Sequence, residues 1–318
     1  MRLAVTMGDP HGVGPEIIAK SLGSLAKRTI PVIIGDLFVL KKAAQIVGTE
    51  LKLRPFKEGK MGEVEVLDLG ILHDVSFGLA TRDAGLASYR YIEEALGLIS
   101  THEVEGVVTC PVNKATISLA GIPFSGHTEV LASFSSVSDC VMMMIAGRMR
   151  VSLVTTHIPL RSVPERLGEE RIFRTIYITS CALREYLCVA NPRLKVCGLN
   201  PHAGEKGLLG EEEEQIRRAI ERARDLGIDA SGPYAADSVF HKVDCDAFVA
   251  MYHDQGLIPV KTLNFRKTVN VTLGLPFVRT SVGHGVAYEI AGKGLADAES
   301  FKAAYSMAER MIVRRYWG

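Results

Sequence analysis

Short apolar runs alternate along this chain with longer stretches in which apolar residues recur every three or four positions. The runs 3–6, 31–35, 64–69, 106–109, 141–146, 151–155, 194–199, 247–251 and 269–273 have the length and composition of buried strands. Between them, 15–22, 37–47, 81–100, 169–187, 211–225 and 297–314 read as helices. The first of these opens on Pro15, whose missing N–H costs nothing in a first turn. This alternation predicts βαβ units, an α/β fold and a mainly parallel sheet covered by helices on both faces. The run Met142-Met143-Met144 reads as core strand, and Glu211 to Glu214 as a solvated first helical turn favoured by the helix dipole. No repeat, low-complexity segment or long linker is present, so two domains would have to interleave. Lobes of 1–130 plus 265–318 and of 131–264 are the expected division.

Composition narrows the partners. The chain has 318 residues with a net charge of +1 and no cluster of Lys and Arg, which argues against nucleic acid. The most apolar stretch, 141–146, is too short to span a bilayer, so no membrane is expected. The opening MRLAVTMGDP reaches Asp9 before an apolar signal core forms, which predicts no secretory leader. Six scattered cysteines form no CxxC pair, and several lie in apolar patterns; this predicts buried reduced thiols and a cytoplasmic setting.

The glycines exclude two cofactor motifs. Gly12-Val13-Gly14 runs into Pro15, and Gly283-His284-Gly285 lacks a third glycine, so no GxGxxG is present. A GxxxxGK[ST] loop is absent as well.

Candidate chemistry comes from position. Three apolar runs each end in a histidine: His157, His202 and His253. Ligands of open parallel sheets bind at the carboxyl ends of strands. Three imidazoles delivered to one edge suit a divalent ion with an open coordination position. The competing reading is three ordinary loop histidines. Asp237 and Asp254 are further ligands, orienting carboxylates or bases. Ser125-Gly126-His127-Thr128-Glu129 precedes a helical pattern and suits an anion, unless Thr128 is merely an N-cap. Lys261, Asn270 and Arg279 lie at the edges of apolar runs, either as a phosphate clamp or as solvated surface groups. The segment from His284 through Gly285, Ala287, Gly292 and Lys293 to Gly294 lets backbone approach a ligand closely, or is a cap and turn. His11, His73, His102 and His241 receive no assignment, although His11 falls in a Gly-rich turn.

These blocks resemble the 4-hydroxythreonine-4-phosphate dehydrogenase family. The resemblance rests on 6–16 (TMGDPHGVGPE), 126–129 (GHTE), 200–205 (NPHAGE), Gly232-Pro233 with Ala236-Asp237-Ser238, 252–259 (YHDQGLIP) and 275–281 (LPFVRTS) with His284-Gly285. They occur in family order across nearly the whole chain. One departure is His11, which stands where a small residue such as Ala is expected.

The resemblance implies an NAD- or NADP-dependent oxidation of 4-phosphooxy-L-threonine to a β-keto acid. That acid loses CO₂ to give 3-amino-2-oxopropyl phosphate, in pyridoxal 5′-phosphate biosynthesis. The implied fold is isocitrate/isopropylmalate dehydrogenase-like, with two α/β/α domains, a cleft between them and a homodimer. By matching motif, His157, His202 and His253 become ligands of one divalent metal (Zn, Co or Mg) per subunit, near the dimer interface. His127, Thr128, Lys261, Asn270 and Arg279 become substrate-binding residues. His284, Gly285, Ala287, Gly292 and Lys293 take the cofactor, and Asp237, Asp254 and Lys261 carry catalytic roles. Three alternatives stay open. The chain is a related dehydrogenase of D-threonate or D-erythronate 4-phosphate, a metal-dependent phosphohydrolase or aldolase, or a non-catalytic binder of a phosphorylated metabolite.

Overall fold

The computed structural model describes residues 1–25 and 28–317. In chain order the strands and helices begin with β1 (Arg2–Thr6), α1 (Gly14–Ala19), β2 (Ile30–Gly35), α2 (Leu37–Val47), β3 (Leu53–Pro55) and β4 (Val64–Asp68). Then come α3 (Arg82–Ser100), β5 (Gly106–Thr109), α4 (Lys114–Leu119), α5 (His127–Phe134), β6 (Val141–Ala146) and β7 (Met149–Leu153). The next elements are α6 (Val163–Arg166), α7 (Glu169–Leu187), β8 (Arg193–Cys197), α8 (Glu212–Asp225), β9 (Asp229–Tyr234) and α9 (Ala236–Val239). The last are β10 (Ala247–Ala250), α10 (His253–Asn264), β11 (Val269–Leu273), β12 (Val278–Val282) and α11 (Glu299–Trp317). The chain divides into two compact units, Met1–Ser138 with Leu275–Val313, and Asp139–Gly274 with Arg314–Gly318.

In the first unit six strands pair in the order β3-β4-β2-β1-β5-β12, every pair parallel. Inner strands of such a sheet are covered on both faces and so read as continuous apolar runs. Leu3, Ala4 and Val5 of β1 and Val32, Ile33 and Ile34 of β2 are fully buried. Each large aliphatic side chain shut away in this manner contributes about 1.5–3 kcal/mol. In the second unit the order is β11-β6-β7-β10-β8-β9. Here β6 runs antiparallel to both β11 and β7, while β7, β10, β8 and β9 are parallel. Met143 and Met144 are buried in β6, as core residues of a strand should be.

Three strands and several helices escape the periodicity. β3 and β9 carry Pro55 and Pro233, which cannot donate to a ladder, and both are the end strands of their sheets. β12 hides in a motif containing Arg279, a residue that argues against a buried strand. α10 contains Gly256 and Pro259, both poor helix residues, and is held instead by burial of Leu257 and Val260. The acidic first turn of α8 is not wholly solvated. Glu213 is buried because its carboxylate accepts hydrogen bonds from the Leu199 and Asn200 amides, at 3.1 and 2.7 Å.

Candidate functional site

The second unit carries the histidines. His157, His202 and His253 come after β7, β8 and β10, and these strands are neighbours in the order β7-β10-β8, all parallel. One sheet edge therefore delivers all three. The rings of His157 and His253 lie close, with centroids 5.6 Å apart. His253 opens α10, and its Nδ1 is 2.7 Å from Oδ1 of Asp254. A carboxylate there holds the proton on Nδ1 and leaves Nε2 as the lone-pair donor, the arrangement that metal-binding imidazoles need.

His202 is built differently. Residues His202, Ala203, Gly204, Glu205 and Lys206 all have positive φ, a left-handed turn that L-residues adopt at a cost. Glu213 supports this turn from below, bonded to the Leu199 and Asn200 amides and to the Asn200 side chain. His202 Nδ1 lies 2.5 Å from Glu205 Oε1. That bond, with the charges of Glu205 and of Asp237 at the start of α9, raises the His202 pKa above its ordinary value. Among the described residues no three His, Cys, Asp or Glu side chains are gathered as ligands of one ion. The donor chemistry fits a divalent cation: two paired imidazoles, and a third, His202, that is likewise presented by a carboxylate but is not gathered with them. Lys261 lies in the last turn of α10 with its ammonium 5.7 Å from the centroid of the Phe265 ring, and Asn270 lies on β11 with a buried Oδ1 that has no partner among the described residues.

The first unit carries the cations. Arg279 on β12 is only 3% exposed, which removes the reading of a solvated surface group. It donates to Thr109 Oγ1 at the end of β5, 2.8 Å away. Burial pushes its pKa down to about 10, and Glu129 opposes that shift. His127 is the first residue of α5, and its Nε2 is shut from solvent with no partner among the described residues. Burial, then the charges of Arg279 and Lys114, hold its pKa well below the ordinary 6.5, so the ring is neutral. Thr128 is the second residue of α5 and not its N-cap; Gly126 occupies that position. Lys114 opens α4 directly behind β5 and was not expected from the motifs. Its place just past a strand end, in Pro111-Val112-Asn113-Lys114, is the same signal that marked the histidines.

The glycine-rich segment 284–294 is held by the opening block. Val13 N–H donates to Val286 O at 3.0 Å, and Gly292 N–H donates to Glu16 Oε1 at 2.5 Å. Lys20 reaches the carbonyls of Gly294 and Ala296, both at 2.7 Å. Tyr288 donates to buried Asp9, whose pKa burial raises. His284 keeps a buried Nε2 with no partner among the described residues; Ala287 and Gly292 both have positive φ, and Lys293 donates to Glu289 O. A Cβ on Gly285 would meet open space. The unexpected His11 is buried: Ser76 N–H donates to Nε2, so the ring proton sits on Nδ1 and faces Leu79 O at 3.1 Å. It thereby pins segment 76–79, which packs against 288–292 through Gly78 and Phe77.

Known proteins are similar to this chain in sequence and in fold. The family model of the pyridoxal phosphate biosynthetic protein PdxA matches residues 27–308. The 4-hydroxythreonine-4-phosphate dehydrogenase of Sulfurihydrogenibium sp. (strain YO3AOP1) is 38% identical over 97% of each chain. The D-threonate 4-phosphate dehydrogenase of Cupriavidus necator is 41% identical over 98% of each. A solved 4-hydroxythreonine-4-phosphate dehydrogenase from Klebsiella pneumoniae superposes with a TM-score of 0.88 at 36% identity, covering 98% of both chains. With a family model spanning most of its length, and relatives of this identity matching end to end, the chain belongs to the family of the pyridoxal phosphate biosynthetic protein PdxA.

Proposed function

We propose that this protein is an NAD(P)-dependent dehydrogenase that oxidises the secondary hydroxyl of 4-phosphooxy-L-threonine to a β-keto acid, which then decarboxylates to 3-amino-2-oxopropyl phosphate. The observation that carries the reading is the row of three histidines behind three adjacent parallel strands. A divalent ion bound by His157, His202 and His253 would lower the pKa of the hydroxyl and polarise the ketone that replaces it. A nicotinamide held by His284, Gly285, Ala287, Gly292 and Lys293 would accept the hydride.

The protein's own groups do the rest. Asp254 fixes the tautomer of His253, and Glu205 does the same for His202. Asp237 faces His202 electrostatically and takes the role of base for the hydroxyl proton. Lys261 and Asn270 complete the polar set of the second unit, with Lys261 returning a proton to the product. Arg279 stays charged at neutral pH even at about 10, and with neutral His127 and Thr128 it is assigned the substrate phosphate. Anchoring a remote phosphate fixes the reacting carbon without touching it.

The assembly assigned is a homodimer with the metal ligands near its interface. α10, which begins at His253, exposes Ile258 and Leu263, and Phe265 just beyond it is exposed as well; such a face is costly to leave in water. None of the six cysteines is in a disulfide, which supports a reducing, cytoplasmic setting, and no described helix is long and apolar enough to cross a membrane.

A second substrate, D-threonate 4-phosphate, is favoured by the 41% identity to an enzyme of that name. Purified protein with Zn²⁺ or Co²⁺, each phosphorylated substrate and NAD or NADP separates the two by the absorbance of the reduced cofactor. Turnover with neither sinks the dehydrogenase reading, and phosphate release without cofactor reduction points to a hydrolase. His202→Ala retaining wild-type kcat at saturating metal removes His202 from the assignment.

A further inference from the structure

Lys114 is a cation placed where unliganded electrostatics disfavours it. Its ammonium lies 3.2 Å from the point where a Cβ on Gly126 would stand, at the N-terminus of α5. That end of a helix carries partial positive charge and repels cations. His127 begins the same helix and feels both Lys114 and Arg279. The carboxylate of Glu129, whose Oε2 lies 2.5 Å from the same point, sits beside the two cations. Two cations and a helix N-terminus therefore converge on His127. The shielded Nε2 of His127 adds a polar atom with no partner among the described residues. A dianion seated there would receive both cations, the imidazole N–H and free amides of the first turn of α5.

We propose that Lys114 is a phosphate-binding residue, the third basic member of a phosphoryl subsite formed with His127 and Arg279. The proposal rests on the substrate reading above only in naming whose phosphate is bound. Lys114 is exposed, at the first position of α4, and Asn113 caps that helix by accepting from the Ala115 and Thr116 amides. Replacing its side chain therefore removes charge without disturbing a core or a cap.

The test uses the full chain and inorganic phosphate as probe, by titration calorimetry, alongside steady-state kinetics. Lys114→Met is expected to weaken phosphate binding and raise the substrate KM by about tenfold or more, with kcat held within about twofold. Lys114→Arg is expected to recover most of the affinity. Phosphate binding by Lys114→Met equal to that of the unaltered protein overturns the proposal, as does absence of phosphate binding to the unaltered protein. Phosphate binding that depends on Lys114, in a protein that reduces neither cofactor, keeps the subsite and sinks the substrate assignment instead.

Discussion

The two units each gather polar side chains suited to a ligand, with opposite electrostatics. In the first unit they are shielded from water: the cation Arg279 is 3% exposed, and the neutral ring of His127 has a shielded Nε2. In the second, two of the imidazoles are paired with carboxylates and partly open to solvent: the side chain of His202 is 64% exposed and that of His253 is 35% exposed. A buried cation favours an anionic ligand, because ligand charge replaces lost hydration. Exposed histidines attract metal through their lone pairs, so they need orientation more than burial. The backbone reflects the same split. Around Arg279 it is regular strand, whereas around His202 five consecutive residues take positive φ and lean on Glu213.

That contrast is most exposed to refutation at Arg279. Arg279→Ala should lower kcat/KM on the order of a thousandfold while the thermal midpoint holds or rises, since a desolvated cation is being removed. A large loss of stability would show that the arginine serves the fold. In the second unit, Glu205→Gln should weaken metal binding by about 10- to 100-fold, read by Co²⁺ absorption, with no change in the unfolding midpoint. Unchanged affinity would break the parallel between Glu205 and Asp254.

The pH dependence sharpens the first unit. His127 has a folded pKa below its unfolded value of about 6.5, so the unfolded chain takes up the proton first. Stability contributed by the neutral ring is whole above about 6.5 and declines as pH falls towards the depressed folded value. His127→Gln should flatten that decline in urea titrations between about pH 5 and pH 7.5; an unaltered slope would mean that burial of the ring has been misjudged. The smallest expected effect is at His11. His11→Ala removes the bonds to Ser76 and Leu79 and should cost about 1–2 kcal/mol, with faster hydrogen exchange at the Ser76 amide. Unchanged exchange there would detach His11 from the support of the 288–292 loop.

Much of both units was legible from the pattern alone. The helices 37–47 and 169–187 match α2 and α7 at both ends, because an amphipathic stripe of that length has one stable solution. The strand-end histidines were legible for a related reason: apolar runs announce strands, and a residue just past the end of a strand sits at its carboxyl edge. α10 was not legible, since Gly256 and Pro259 oppose a helix locally and only burial of Leu257 and Val260 overrides them. Nor was Glu213, whose acidic neighbours suggested a solvated turn until the Leu199 and Asn200 amides claimed it.

The sequence by itself determined the α/β class, the strand-end placement of His157, His202 and His253, and the family, because these depend on local period and on contiguous motifs. Tertiary structure alone decided that β7, β10 and β8 are neighbours, that Arg279 is buried, that Lys114 reaches Gly126, and that residues 9–20 hold the 284–296 segment. Each of these joins positions far apart in the chain. Hydrophobic period records which face of an element is buried, and carries no information about which distant element covers it.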